Sequence, residues 1–245
     1  MKRRRSTTLD VLAVVAHPDD AELSCGGTLA GCVRRGYRVG VLDLTRGEMG
    51  TRGTPETRAR EAARAARVLG LHHRENLGWP DAALEATLEN KRAVASRLRA
   101  LRPRVVILPY WEGRHPDHRA ASQMGRDACF LAGLEKLELG GRPHRPFKIL
   151  YATLFDARGG VQPSFIVDIT RDYSRRARAI ACYASQFAGP RFQRGIRIPL
   201  TGLEERLEVI CRYYGGLVGV RYGEPFVTRE LARVEDVVQL PVRSL

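Results

Sequence analysis

Two short stretches carry the side chains best suited to hydrolytic chemistry: His17-Pro18-Asp19-Asp20, followed by Glu22, and Arg114-His115-Pro116-Asp117-His118. Between them they hold three of the six histidines in the chain. His17 and Asp20 lie at an i, i+3 spacing, and so do His115 and His118. Side chains at that spacing leave a turn or helix start in the same direction, as converging metal ligands must. A His/Asp/His set with an open fourth position is the arrangement of a catalytic zinc, which brings the pKa of water down to about 7. Asp19 and His115 are then left over to handle protons. Either stretch alone reads equally well as a capping aspartate beside surface histidines. Their joint placement favours the metal.

That placement depends on the elements behind them. Leu9–Ala16 is a short apolar, β-branched run and reads as a buried strand leading straight into His17. Ser24–Arg35 reads as a helix, Tyr37–Leu44 as a strand and Thr45–Pro55 as a Gly/Thr-rich loop. Glu56–Leu69 is helical, with Ala62, Ala65, Ala66 and Leu69 on one face. A third strand falls at His73–Leu77, a helix at Leu84–Leu101, and a fourth strand at Arg104–Pro109. This alternation predicts an α/β fold: a Rossmann-like, doubly wound, mostly parallel sheet with helices on both faces. Ligands bind such sheets at the carboxyl ends of the strands. The first strand ends in one His/Asp stretch and the fourth in the other.

Beyond this, Pro116–Leu134 reads as a helix, Phe147–Phe155 and Phe165–Ile169 as strands, and Arg171–Phe187 and Gly202–Tyr214 as helices. The tail after Gly215 reads as irregular or weakly extended. With no internal repeat and no low-complexity linker, residues 1–245 are expected to form a single domain. Its α/β core would run to about residue 185, and 186–245 would be a less regular appendage.

The two motifs carry a resemblance. Ala16-His17-Pro18-Asp19-Asp20 and His115-Pro116-Asp117-His118 are similar to the paired motifs of the LmbE-like, or PIG-L, family of zinc-dependent N-acetylglucosaminyl deacetylases. Further stretches resemble the bacillithiol-biosynthesis branch: Leu42–Thr45, Arg58–Ala62, Asn76–Asp81, Gly113–His118, Tyr183–Phe187 and Pro199–Thr201. One departure is Pro80-Asp81-Ala82-Ala83-Leu84, where relatives often carry Arg or Gly after the Asp. The resemblance implies zinc, or Fe2+ or another divalent ion, held by His17, Asp20 and His118. It implies Asp19 as the base that takes a proton from the zinc-activated water. His115 would stabilise the oxyanion and protonate the leaving amine, with Asp117 hydrogen-bonded to it and keeping it cationic. Arg58 is expected to bind the anionic end or hydroxyls of the substrate, with Arg114 a second choice. Glu22 could reach a sugar hydroxyl or simply start a helix. The expected substrate is a small sugar conjugate, N-acetylglucosaminyl malate first, with inositol-linked or chitin-disaccharide conjugates as alternatives. The resemblance also implies a homo-oligomer, as relatives form hexamers.

Composition bounds the remaining readings. Four Lys and 37 Arg against 27 Asp+Glu give a net charge of +14, which invites a basic polyanion-binding module with a vestigial metal site. The skew towards Arg reads better as a coding bias. Arg is spread over almost every predicted helix (Arg34, Arg64, Arg97, Arg126, Arg176, Arg206), and no helix-turn-helix, zinc-finger or RNA-binding signature accompanies it. No specific nucleic-acid partner is expected. The five cysteines are odd in number and none are two residues apart, which argues against a disulfide framework and for a reducing compartment. The basic start resembles a signal-peptide n-region, but the apolar run behind it is too short, and no run approaches the ~18–20 residues of a membrane helix. Cytoplasmic localisation and no membrane partner are expected. His72-His73, His144 and Cys25 read as ordinary structural residues, and Gly26-Gly27 lacks the pattern of a dinucleotide loop.

Overall fold

A computed structural model describes residues 8–154, 161–187 and 202–242 of the chain. Seven strands form one mixed, mostly parallel sheet. In chain order they are β1 (Val11–Val15), β2 (Val39–Thr45), β3 (His73–Trp79), β4 (Val105–Pro109), β5 (Lys148–Ala152), β6 (Phe165–Asp168) and β7 (Gly223–Val227). The spatial order is β3-β2-β1-β4-β5-β7-β6, and the first five strands run parallel. β7 pairs antiparallel with β5 on one side and β6 on the other.

β1 is apolar throughout because both of its faces are covered. Leu12, Val14 and Ala16 point into one layer with helices α3 (Leu88–Leu101) and α4 (Pro116–Ala132), through Val94, Leu98, Met124 and Ala128. Val11, Ala13 and Val15 point the other way, onto Ala21, Cys25 and Leu29 of α1 (Asp20–Arg34). Helix α2 (Pro55–Leu69) packs on that second side with α5 (Tyr173–Ala181). The alternation of the strand residues thus assigns each helix to its layer.

Several boundaries differ from the sequence expectation for identifiable reasons. Helix α1 begins at Asp20 rather than Ser24, directly on the first His/Asp motif. Helix α3 begins at Leu88 rather than Leu84, because the Thr87 side chain caps the Asn90 N–H and leaves 84–87 outside the helix. The helix expected over 171–187 is two, α5 and the short α6 (Ala184–Phe187).

The largest difference lies after Gly215. Where the tail was expected to be irregular or weakly extended, Gly223–Val227 is a full strand inside the sheet, fed by α7 (Leu203–Leu217). A five-residue run containing Gly and Pro argues against an inner strand. Burial overrides it: Glu224 and Phe226 are fully enclosed. The Glu224 carboxylate accepts hydrogen bonds from the Gly27 and Thr28 N–H groups (2.9 and 2.7 Å) and the Thr28 hydroxyl (2.6 Å). Those N–H groups are freed by a kink in α1 at Cys25. Gly27 cannot be larger, since a Cβ there would meet Ile169 at 2.8 Å. Gly26-Gly27 therefore serves packing.

Candidate active site

The strand order reverses between β1 and β4, which pair directly (Val11↔Val105 to Ala13↔Ile107). Both His/Asp motifs leave the carboxyl ends of these two strands, so they meet at the reversal point, where open α/β sheets bind ligands. The Ala16 carbonyl is held by the Thr45 N–H and hydroxyl at the end of β2 (2.9 and 3.1 Å). The chain then turns sharply. The Asp20 carboxylate accepts the His17 N–H (2.8 Å), and Asp19 takes φ 106°, a left-handed conformation costly for a residue with a Cβ. On the other side His115 is the N-cap of α4, its Nδ1 accepting the Asp117 N–H (3.2 Å).

One oxygen of Asp20 lies 3.2 Å from His17 Nδ1 and 3.2 Å from His118 Nε2. The donor atoms of His17, Asp20 and His118 all fall within 4.8 Å of one another, so this group could hold a metal ion. Two imidazoles and a carboxylate suit a borderline divalent ion. His17, His115 and Asp117 form a second, overlapping cluster on the same scale.

The electrostatics are those of a pocket crowded with carboxylates. Burial works against charge on His17, yet Asp20 and Asp81 outweigh it and hold the imidazole pKa up at about 11. The Asp20 carboxyl is buried too, but His118 and His17 keep it well below the usual carboxylate range. Asp19 is pushed up to about 8, mainly by burial, with Arg58 pulling the other way. For His115, burial and the neighbouring His118 and His17 lower the pKa.

Three expected roles, those of Arg58, Asp117 and His115, change in the folded chain, and Glu22 takes the helix-start reading of its two. Arg58, expected at the substrate, is only 5% exposed and points inward. Its Nη2 donates to the Pro18 carbonyl (2.6 Å) and Asp19 Oδ2 (3.1 Å), and its Nη1 to the Gly47 carbonyl (2.7 Å). It is a strut beneath the strained Asp19. Glu22 is fully enclosed in the first turn of α1 and paired with Arg74 at 2.5 Å, out of reach of a sugar. Asp117 does not hydrogen-bond His115 through its carboxylate. That group accepts the Ala82 N–H (2.8 Å) and lies 3.3 Å from His17 Nε2. The expected cationic His115 is also not favoured, for the reasons of burial and neighbours given above. Arg114 is exposed at the start of α4, its carbonyl accepting from Arg119. Pro199–Thr201 lies outside the described residues.

Asp81 belongs to the site and was not expected there as a functional group. Its Oδ1 is 2.9 Å from His17 Nε2, while its Oδ2 accepts the Met49 N–H (3.0 Å). Burial opposes its charge, but the hydrogen bond from His17 holds its pKa near 2. Asp81 follows β3 as closely as His17 follows β1, so the strand-end rule could have found it.

The family model described as PIG-L: GlcNAc-PI de-N-acetylase matches residues 12–129, which include both motifs. The diacetylchitobiose deacetylase of Thermococcus kodakarensis is 31% identical over 231 residues, covering 87% of this chain and 80% of that one. The chain belongs to the PIG-L family. As a PIG-L protein it is a hydrolytic N-deacetylase, and its relatives extend beyond one branch. A probable N-acetyl-alpha-D-glucosaminyl L-malate deacetylase 2 of Bacillus anthracis is 28% identical over 195 residues, 73% of this chain and 81% of that one. Among solved structures, the conserved protein TT1542 of Thermus thermophilus superposes with a TM-score of 0.82 at 42% identity, covering 93% of this PIG-L chain and 98% of its own.

Proposed function

We propose that this protein is a metal-dependent deacetylase of an N-acetylglucosamine conjugate, with N-acetylglucosaminyl L-malate as the preferred substrate. The observation that carries the reading is the convergence of His17, Asp20 and His118 beside Asp19 at the β1/β4 reversal point. These three residues would hold the ion, Zn2+ first and Fe2+ as the alternative. When bound it supplies a Lewis acid that polarises an acetamide carbonyl and makes water a nucleophile at neutral pH.

The chain supplies the rest. Asp19 takes the proton of the attacking water on its carboxylate, which Arg58 Nη2 holds in place at 3.1 Å. The His115 Nδ1 accepts the Asp117 N–H, so the neutral ring carries its proton on Nε2. That N–H stabilises the oxyanion as the water oxygen bonds to the acetyl carbon. His115 therefore acts as a neutral donor, and the proton held by Asp19 goes to the departing amine nitrogen as the C–N bond breaks. Asp117 braces the Ala82 turn and His17.

Malate is supported by the stretches resembling the bacillithiol branch and by Arg114, an exposed arginine directly before His115, a residue type that can fork a carboxylate. A second reading, diacetylchitobiose, is favoured by the 31% identical relative that acts on it. We further propose a cytoplasmic homo-oligomer of hexameric form. Five free cysteines suit a reducing compartment, and Val209, Tyr213 and Leu217 line one exposed strip of α7. Among the described residues no helix is long and apolar enough to cross a membrane.

The test is acetate release by the zinc-loaded protein from the malate, inositol and chitobiose conjugates, with a chelated control. Fastest turnover on the malate conjugate is expected. Faster turnover on chitobiose would replace the substrate assignment, and no acetate from any of the three would overturn the deacetylase reading.

A further inference from the structure

The stretch Tyr183–Phe187 has no part in the chemistry above, yet the Ser185 hydroxyl and the Gln186 amide nitrogen are both engaged in hydrogen bonds. The Ser185 N–H and hydroxyl donate to the two carboxylate oxygens of Glu61 (2.8 and 2.6 Å), itself 2% exposed on α2. Gln186 Nε2 donates to the Ser185 hydroxyl (3.1 Å) and to the Arg52 carbonyl (2.6 Å). Both amide protons of Gln186 are thereby used, one on its own turn and one on the loop between β2 and α2.

That loop, residues 46–53, borders the site. The Gly47 carbonyl is held by Arg58, the strut under Asp19, and the Met49 N–H by Asp81 beside His17. It contains Gly47, Gly50 and Gly53, two of them at positive φ (69° and 72°), so its backbone has little conformational preference of its own. Met49 at its tip is largely exposed. The loop is therefore tethered on the site side by Arg58 and Asp81, and on the far side by Gln186. Space there is tight. A Cβ on Gly53 would come within 2.7 Å of the Ser185 hydroxyl oxygen, and one on Gly50 within 3.5 Å of Gln186 Oε1.

We propose that Gln186 is a positioning residue for substrate binding: through the Arg52 carbonyl, and braced by Ser185 and Glu61, it fixes the loop 46–53 as a wall of the active-site cleft. Gln186 touches neither the ion ligands nor Asp19 in any described hydrogen bond, so its effect runs through the loop. The kinetic consequence rests on the deacetylase reading above. The structural consequence does not.

The experiment compares wild type with Gln186→Leu, which keeps the side-chain bulk and removes both donors, and with Gly53→Ala, which crowds the same contact. Hydrogen exchange is read over residues 46–54, zinc content after loading with zinc alone, and kcat and KM for acetate release. Faster exchange confined to the loop is expected in both variants with zinc content unchanged. KM should rise about tenfold, the scale of one lost buried hydrogen bond, with kcat little altered. Unchanged loop exchange in both variants would overturn the proposal. So would exchange that rises throughout the protein with loss of zinc, since Gln186 would then be a general stability residue. If no conjugate is hydrolysed by wild type, the deacetylase reading fails while the exchange measurement still decides the role of Gln186.

Discussion

At the scale of single residues, Asp19 and Arg58 form one buried unit. Asp19 sits in a backbone conformation that its side chain disfavours, and the surroundings must over-determine it. Arg58 does so by gripping the carbonyl before it, its carboxylate and the adjoining loop. Asp19→Asn should keep its zinc and lose about 10²–10⁴-fold in kcat, whereas His118→Ala should lose zinc itself. Metal analysis beside turnover checks the division, and a zinc-free Asp19→Asn would contradict it. Arg58→Ala leaves the buried Asp19 carboxylate and the Pro18 carbonyl without that donor, while the Gly47 carbonyl keeps the Gly50 N–H. A loss of about 3–5 kcal/mol is expected, near 10 °C in Tm. If Arg58 were instead a substrate contact, its replacement would raise KM and leave thermal unfolding alone.

At the scale of elements, β1, β2 and β4 were legible because each is a short apolar run with β-branched residues followed by a helical pattern, and the two His/Asp motifs were legible because they follow strand ends directly. The structure moved what depended on tertiary burial. β7 reads poorly because Gly223 and Pro225 are weak strand residues, and the enclosed Glu224 carboxylate and Phe226 ring explain its place. Arg58 read as a substrate contact, since the direction of its side chain on α2 is invisible without its neighbours. Asp81 was in view as part of a motif but lacked a partner until the turn after β3 was folded. That turn holds a further point of strain. Ala82 adopts φ 63° while its N–H binds Asp117. Ala82→Gly should stabilise the fold by about 0.5–1 kcal/mol, measurable by denaturant unfolding. Destabilisation would mean that the Ala82 methyl packs usefully despite its backbone.

At the scale of the whole molecule, the net charge of +14 overstates the free positive surface. Arg58, Arg99 and Arg176 are buried: Arg99 donates to the Ala132, Leu134 and Leu137 carbonyls at the end of α4, and Arg176 pairs with Glu224 at 3.1 Å. Three of the five thiols, Cys25, Cys129 and Cys211, are similarly buried. Burial pushes Cys129 up to about 12 and Cys211 up to about 11, from a usual value of 9.0. A thiol whose pKa is higher folded than unfolded holds its proton better in the folded state. Its contribution to stability is intact below about pH 9 and declines as pH rises towards 11–12. The folded protein should therefore leave Cys129 and Cys211 unalkylated at pH 8, and Tm should fall above pH 9. Rapid labelling of either thiol in the folded state would contradict this. The insertion of β7 between β5 and β6 also sets a schedule for synthesis. Ala152 at the end of β5 leaves the ribosome 71 residues ahead of Gly223 at the start of β7. Until then the nascent chain carries an unpaired parallel-sheet edge beside a complete pair of His/Asp motifs, and an edge of that kind recruits other chains. A chain that stopped between Ala152 and Gly223 would hold both His/Asp motifs on a sheet whose β5 edge is unsealed.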